Sequence, residues 1–232
     1  MIWGGYPAVV LERDINKKKL NQIISTYIKA DIRDLWNIRN ITKFNKLLVI
    51  LASQIGNLIN ITELSNTVGL AKVTVEDYLF ILENTYVIKQ VRPFARNLRT
   101  ELTKMPKIYF EDTGIANLLS NQNAENGISG ASFENAVFCE LRKMYVVDSI
   151  NFWRTIKKHE VDFILDFSNK FIPLEVKLIF NRKRPTSLLY FKEKYSKDKC
   201  YLCRLEQLND NPYDWLELIY PWDIHSEKFN EV

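Results

Sequence analysis

Two short stretches constrain this chain more than any other feature. Glu160-Val161-Asp162-Phe163-Ile164-Leu165 and Ile172-Pro173-Leu174-Glu175-Val176-Lys177-Leu178 alternate between polar and apolar residues. A period of two belongs to strands, whose successive side chains point to opposite faces. Glu160 and Asp162 therefore share a face of the first strand, and Glu175 and Lys177 share a face of the second. A hairpin turning around Ser168-Asn169 sets Asp162 opposite Glu175 and Glu160 opposite Lys177. Directly paired Cβ atoms lie about 4.5–5.5 Å apart. A slip of one residue would turn one charged set into the core, so the pattern selects this register.

Two carboxylates at that separation repel unless a proton or cation lies between them. Hard oxygen ligands with room for water suit Mg²⁺ or Mn²⁺, and such an ion can activate water for attack on a phosphodiester. Lys177, on the same face, would orient that water or neutralise the phosphate. A third acid is expected from the preceding helix, where Glu134 falls in line with Val137, Phe138, Leu141 and Tyr145. That stripe otherwise reads as core, and an acid within it needs a partner. The candidate catalytic residues are thus Asp162, Glu175, Lys177 and Glu134, and the candidate metal ligands are Glu134, Asp162 and Glu175. The competing interpretation is a solvated sheet face with ordinary cross-strand ion pairs, Glu160 with Lys177 among them. In that case Glu134 serves only the helix dipole.

The rest of the chain falls into segments. Residues 1–40 open on a Gly4-Gly5-Tyr6-Pro7 turn and then show helical spacing, an N-terminal helical segment. Over 41–121, Phe44, Leu47, Leu48, Leu51 and Ile55 mark one helix, and Leu64 and Val68 mark a second that Thr62 would cap. Gly69 allows a tight turn before a third helix opened by Lys72 or Thr74 and carrying Val75, Tyr78, Leu79 and Leu82. A hairpin over Tyr86–Val91 and Pro93–Leu102 would make this a winged helix-turn-helix domain. Gln122 to Ser132 reads as a domain boundary. Residues 127–205 then read as a helix, three strands, a helix and a strand, and 206–232 as an acidic C-terminal segment.

Charge adds a candidate partner. The net charge is only +4, but between Val87 and Ile108 six basic residues, Lys107 among them, face Glu101 alone. Lys72 and Thr74 at the start of the third helix, with Lys89, Arg92, Arg96 and Arg99 beside it, are the candidate DNA contacts. Glu76 and Asp77 oppose that role. A second basic stretch includes Lys183 and Arg184. Three cysteines make no disulfide framework, which points to a reducing cytoplasm. The aliphatic run Leu47–Ala52 is too short to cross a bilayer, and Met1 is followed at once by a turn rather than a leader. Cys200-x-x-Cys203 lacks a second pair for zinc, and neither His lies in a nucleophile motif.

Asp162 followed thirteen residues later by Glu175-Val176-Lys177, with Glu134 on the helix before, resembles the PD-(D/E)xK nuclease superfamily. Gly4-Gly5-Tyr6-Pro7, Pro106-Lys107-Ile108-Tyr109-Phe110, Asp112-Thr113-Gly114, Phe133-Glu134-Asn135 and Trp153-Arg154 resemble, in order along nearly the whole chain, the C-terminal half of prokaryotic AAA-type ATPases carrying the domain of unknown function 4143. The resemblance implies an α+β chain: a winged helix-turn-helix domain followed by an α/β PD-(D/E)xK restriction-endonuclease-like domain. No G-x-x-x-x-G-K-[ST] occurs, so no ATP site of that type is expected. The leading expectation is a cytoplasmic DNA-associated protein with an Mg- or Mn-dependent nuclease-like domain. The alternative is a non-catalytic module that belongs to, or partners, an AAA-type ATPase.

Overall fold

The computed structural model describes residues 2–11, 16–36, 38–94, 105–121, 127–157, 159–167, 170–181, 183–195, 199–206 and 213–225. The fold mixes nine α-helices with seven strands among these residues. It divides into two compact units: residues 1–90 with 107–135, and residues 91–106 with 136–232.

Unit one is mainly helical. Short helices α1 (Pro7–Val10), α2 (Asn16–Ile23) and α3 (Ile32–Trp36) precede α4 (Ile41–Ser53), and residues 24–31 between α2 and α3 are π-helical. Asn40 caps α4, its side chain accepting from the Lys43 amide at 3.1 Å, and the helix buries Phe44, Leu47, Leu48 and Leu51 at spacings of three and four. α5 (Ile61–Val68) is capped by Asn60, whose side chain accepts from the Thr62 and Glu63 amides. The cap is therefore two residues earlier than Thr62. Gly69 closes α5 in the left-handed region, φ 75°. The Nζ atoms of Lys43 and Lys46, one turn apart on α4, donate to the Gly69 and Thr67 carbonyls at that end. α6 (Lys72–Asn84) buries Val75, Tyr78, Leu79, Ile81 and Leu82, and Tyr78 meets Phe44 edge-on at 5.2 Å.

Strand β1 (Ile88–Pro93) starts in this unit, and β2 (Lys107–Phe110) lies wholly within it. The second strand of the hairpin expected after β1, Pro93–Leu102, falls from residue 95 outside the described residues. β2 is followed by α7 (Thr113–Leu119), capped by Asp112, whose Oδ1 accepts from the Ile115 amide at 2.9 Å. Asp112 Oδ2 accepts from the Gly5 amide at 2.7 Å, and Asn117 Nδ2 donates to the Ile2 carbonyl at 2.8 Å. The Gly-Gly-Tyr-Pro turn is thereby docked on Asp112-Thr113-Gly114. Gly114 is required at that contact, because a Cβ there would lie 2.2 Å from the Trp3 carbonyl oxygen.

Unit two is built on a sheet. Its strands are β3 (Ile150–Arg154), β4 (Glu160–Asp166), β5 (Phe171–Lys177), β6 (Cys200–Arg204) and β7 (Leu216–Ile219). The end of β1 pairs in parallel with β3. β3, β4 and β5 are antiparallel neighbours, while β5, β6 and β7 run parallel. The parallel step from β5 to β6 needs a crossover, and α9 (Thr186–Tyr195) supplies it. Phe94, Trp153, Val161, Ile164, Leu188, Phe191 and Leu202 form one core cluster, and Phe138 stacks on Phe163 at 6.3 Å. β7 lies within the segment 206–232 that reads as acidic from composition. Four residues interrupted by Glu217 give too short an apolar signal to mark it.

Candidate functional site

The β4–β5 ladder pairs Phe163 with Leu174, Ile164 with Pro173 and Leu165 with Ile172. One further step along that register sets Asp162 across from Glu175, the arrangement the alternation selects. The two acids are not on a solvated face: Asp162 is 8% exposed and Glu175 9%. Asp162 Oδ2 accepts from the Val176 amide at 2.8 Å, which fixes its carboxylate against β5. Lys177 Nζ lies 2.6 Å from Glu175 Oε1 and 4.0 Å from Asp162 Oδ2. Buried carboxylates need such compensation, and one half-exposed ammonium serves two of them. Glu160, expected across from Lys177, meets Arg154 at 3.5 Å.

A cavity of about 320 Å³ opens beside this cluster, lined by Glu175, Lys177, Lys183, Arg184, Ser187 and Leu202 among others. Two hard carboxylate oxygen donors beside a space for water fit Mg²⁺ or Mn²⁺, ions that keep several of their waters. A larger cavity of about 650 Å³ in unit one, lined by Tyr6, Lys19, Gln22, Tyr27 and Tyr86 among others, contains none of these acids.

Glu134 has another task. It lies near the start of α8 (Gly130–Met144), in the part of that helix assigned to unit one. Its Oε1 accepts from the Tyr109 hydroxyl at 2.5 Å and lies 3.5 Å from Lys107 Nζ. The neighbouring Asn135 is fully buried. It accepts from the Phe110 amide at 2.8 Å and donates to the Phe110 carbonyl and the Thr113 hydroxyl. Phe133-Glu134-Asn135 thus clamps Lys107-Ile108-Tyr109-Phe110. Among the described residues no group of three or more His, Cys, Asp and Glu is arranged to hold a metal ion. Of the three expected ligands, Asp162 and Glu175 are the two that the β4–β5 register brings together.

The expected DNA contacts are only partly available. Lys72 is exposed and Thr74 half-buried, but the exposed positions beside them on α6 are Val73, Glu76, Asp77 and Phe80. Lys89 is paired with Glu83 at 3.0 Å. Lys107, counted from sequence with the basic stretch, is buried at 2% exposure. Arg92 is exposed, while Arg96 and Arg99 lie outside the described residues. Cys139, Cys200 and Cys203 are free thiols. Burial pushes the Cys200 thiol up to about 12 and raises that of Cys203 as well. Among the described residues no helix is long and apolar enough to cross a membrane.

Residues 1–126, more than half of the chain, match a domain of unknown function, DUF8612. The chain belongs to that family. Residues 129–220 match a second domain of unknown function, DUF4143. The resemblance to DUF4143, expected along nearly the whole chain, thus holds for its second part, and the DUF8612 segment precedes it. An uncharacterized protein of Haemophilus influenzae is 24% identical over 230 residues, 95% of this chain and 55% of that protein. The uncharacterized protein Rv2008c of Mycobacterium tuberculosis is 26% identical over 159 residues, 66% of this chain and 36% of its own length. The uncharacterized protein Mb2031c of Mycobacterium bovis gives the same figures. The chain therefore spans between about a third and just over half of the curated relatives it matches. No solved structure matches it.

Proposed function

We propose that unit two carries a PD-(D/E)xK-type site for metal-dependent hydrolysis of DNA phosphodiester bonds, in a cytoplasmic protein. The observation that supports this reading is the convergence of buried Asp162 and Glu175 from adjacent strands onto the Lys177 ammonium. A solvated ion-pair face would leave those acids in water, where pairing is worth little. Asp162 and Glu175 would hold Mg²⁺ or Mn²⁺, which when bound supplies Lewis-acid stabilisation and an acidified water. The Val176 amide keeps the Asp162 carboxylate oriented. Lys177, on the same face and 2.6 Å from Glu175, would orient water or hold a phosphate oxygen.

The test is cleavage of single-stranded, duplex and branched DNA with and without Mg²⁺ or Mn²⁺, beside calorimetric ion binding. Asp162→Asn keeps the size and the oxygen that accepts from Val176 but removes the charge. It should abolish cleavage and sharply weaken ion binding, with thermal stability in metal-free buffer held or raised. Lys177→Ala should retain much of the ion binding and lose turnover. Wild-type protein that binds neither ion and cuts none of these DNA forms would rule the reading out.

A second reading applies to unit one and is supported by the composition of the exposed face of α6. Val73, Glu76, Asp77 and Phe80 suit a protein surface better than a phosphate backbone. On this reading the helix-turn-helix segment docks a protein, an AAA-type ATPase domain being the partner that the family resemblance implies. Relatives longer than this chain are consistent with such a companion domain.

A further inference from the structure

We infer that the cavity beside Glu175 and Lys177 is a phosphate-binding subsite for a nucleic-acid strand, with Lys183 and Arg184 as its charged arms. The inference rests on the hydrolytic reading of Asp162, Glu175 and Lys177 for the reason a backbone phosphate comes there. Its own support is separate. Among the described residues Glu175 is the only acid lining the cavity, and Lys177 lies 2.6 Å from it. Lys183 and Arg184 are both exposed, and neither has an ion-pair partner among the described residues. Among the described residues the cavity wall therefore carries two positive charges with no acid paired to them, and an anion is the complementary ligand.

The remaining lining residues narrow the kind of anion. The first residues of α9, Thr186 and Ser187, line the cavity, and a helix N-terminus adds amide donors and a favourable dipole. Asn181 Oδ1 accepts from the Lys183 amide at 3.2 Å, a local turn that presents Lys183 and then Arg184 in succession. Arg suits bidentate binding of phosphate oxygens, and Lys binds them as a point charge. Phe180, Leu188 and Leu202 contribute a buried apolar floor. A cationic rim over an apolar floor, in a volume of about 320 Å³, matches a nucleotide unit with its phosphate at the rim. A bare inorganic ion would leave the floor unused.

The experiment measures anisotropy of a short fluorescein-labelled single strand with the full chain, in metal-free buffer over a range of salt. Each phosphate neutralised on a single strand contributes about 0.7 to the slope of log affinity against log salt. The double variant Lys183→Ala/Arg184→Ala should bind roughly tenfold more weakly or worse, with a slope shallower by about 1.4. Both side chains are exposed, so its melting temperature should match wild type. The conservative Lys183→Arg/Arg184→Lys pair should restore the slope, which a merely structural effect would not do. If the double variant misfolds, Lys183→Gln alone should lower the slope by about 0.7.

Unchanged affinity and slope in the folded double variant would overturn the subsite. So would equal displacement of the strand by inorganic phosphate or by a polyglutamate peptide, since the first indicates a free-anion site and the second a protein partner. The two readings fail separately. If wild-type protein cuts no DNA yet the double variant loses the salt slope, the subsite stands and the hydrolytic reading falls. If wild type cuts and the double variant cuts with unchanged KM, the hydrolytic reading stands and the subsite falls.

Discussion

Gly114→Ala sets a gain in local chain energetics against a steric conflict. Replacing Gly by Ala at a compatible site stabilises by about 0.4–1 kcal/mol, chiefly through the unfolded chain. Here the new Cβ would lie 2.2 Å from the Trp3 oxygen, 2.4 Å from the Trp3 carbonyl carbon and 2.8 Å from the Gly4 nitrogen. All three are backbone atoms, so no side chain can swing aside. The N-terminal turn must retreat to at least 3.4 Å, pulling on the Gly5–Asp112 and Asn117–Ile2 hydrogen bonds that hold it. A bond to a charged group contributes about 1.5–3 kcal/mol and a neutral one about 0.5–1.5. The expected net loss is about 1–3 kcal/mol, in the usual range for overpacking. For a chain of this size each kcal/mol lowers the midpoint by about 2–4 °C, so scanning calorimetry should show a fall of about 2–12 °C. Gly130→Ala is the control, since nothing lies within 4 Å of its Cβ, and it should hold or gain stability. A Gly114→Ala protein that melts at or above wild type would refute the docking of the turn on α7.

Two other substitutions probe the same unit. Burial raises the Asp112 carboxyl above its ordinary range, against the lowering effect of the Gly5, Ile115 and Gly114 amides. A raised carboxyl contributes stability below its unfolded value, about 3.9, and loses it as pH rises through the folded value. Asp112→Asn should therefore give lower but flatter urea midpoints across that window, and a wild-type-like slope against pH would contradict the assignment. Glu134→Gln removes the carboxylate beside buried Lys107 and should destabilise the protein by about 3 kcal/mol, with ion binding at Asp162 and Glu175 retained. Lost ion binding at unchanged stability would return Glu134 to the metal site.

The site was legible where a pattern forbids alternatives. The β4–β5 register could be read because a slip of one residue would turn the charged sets of the two strands to opposite faces of the sheet, and Asp162 opposite Glu175 follows from it. Glu134 was legible only halfway. An acid on an apolar helix stripe does need a partner, but spacing along α8 cannot tell which strand delivers it. The partner came from β2, through Tyr109 and through Lys107, a cation that composition counts as exposed. Gly4-Gly5 and Asp112-x-Gly114 stood out as separate motifs more than a hundred residues apart. Only the backbone approach at Trp3 shows that they are one contact. Asn60 and Thr62 are both good capping residues, and the choice between them depends on where the chain turns into α5, which residue type leaves open.

The boundary between the two family matches, residues 126 and 129, is not where the chain divides physically. Unit one takes back residues 107–135 after the chain has already left it at residue 91. A cut placed at the family boundary would thus remove from β2 both the Glu134 carboxylate and the Asn135 amide. The N-terminal fragment would lose the grip on its own strand, and the C-terminal fragment would carry an orphaned helical turn. Any gene fusion, split or reshuffling in this family that preserves folding has to carry the first turn of α8 along with the residues before it. The inherited unit would then be longer than either sequence match alone.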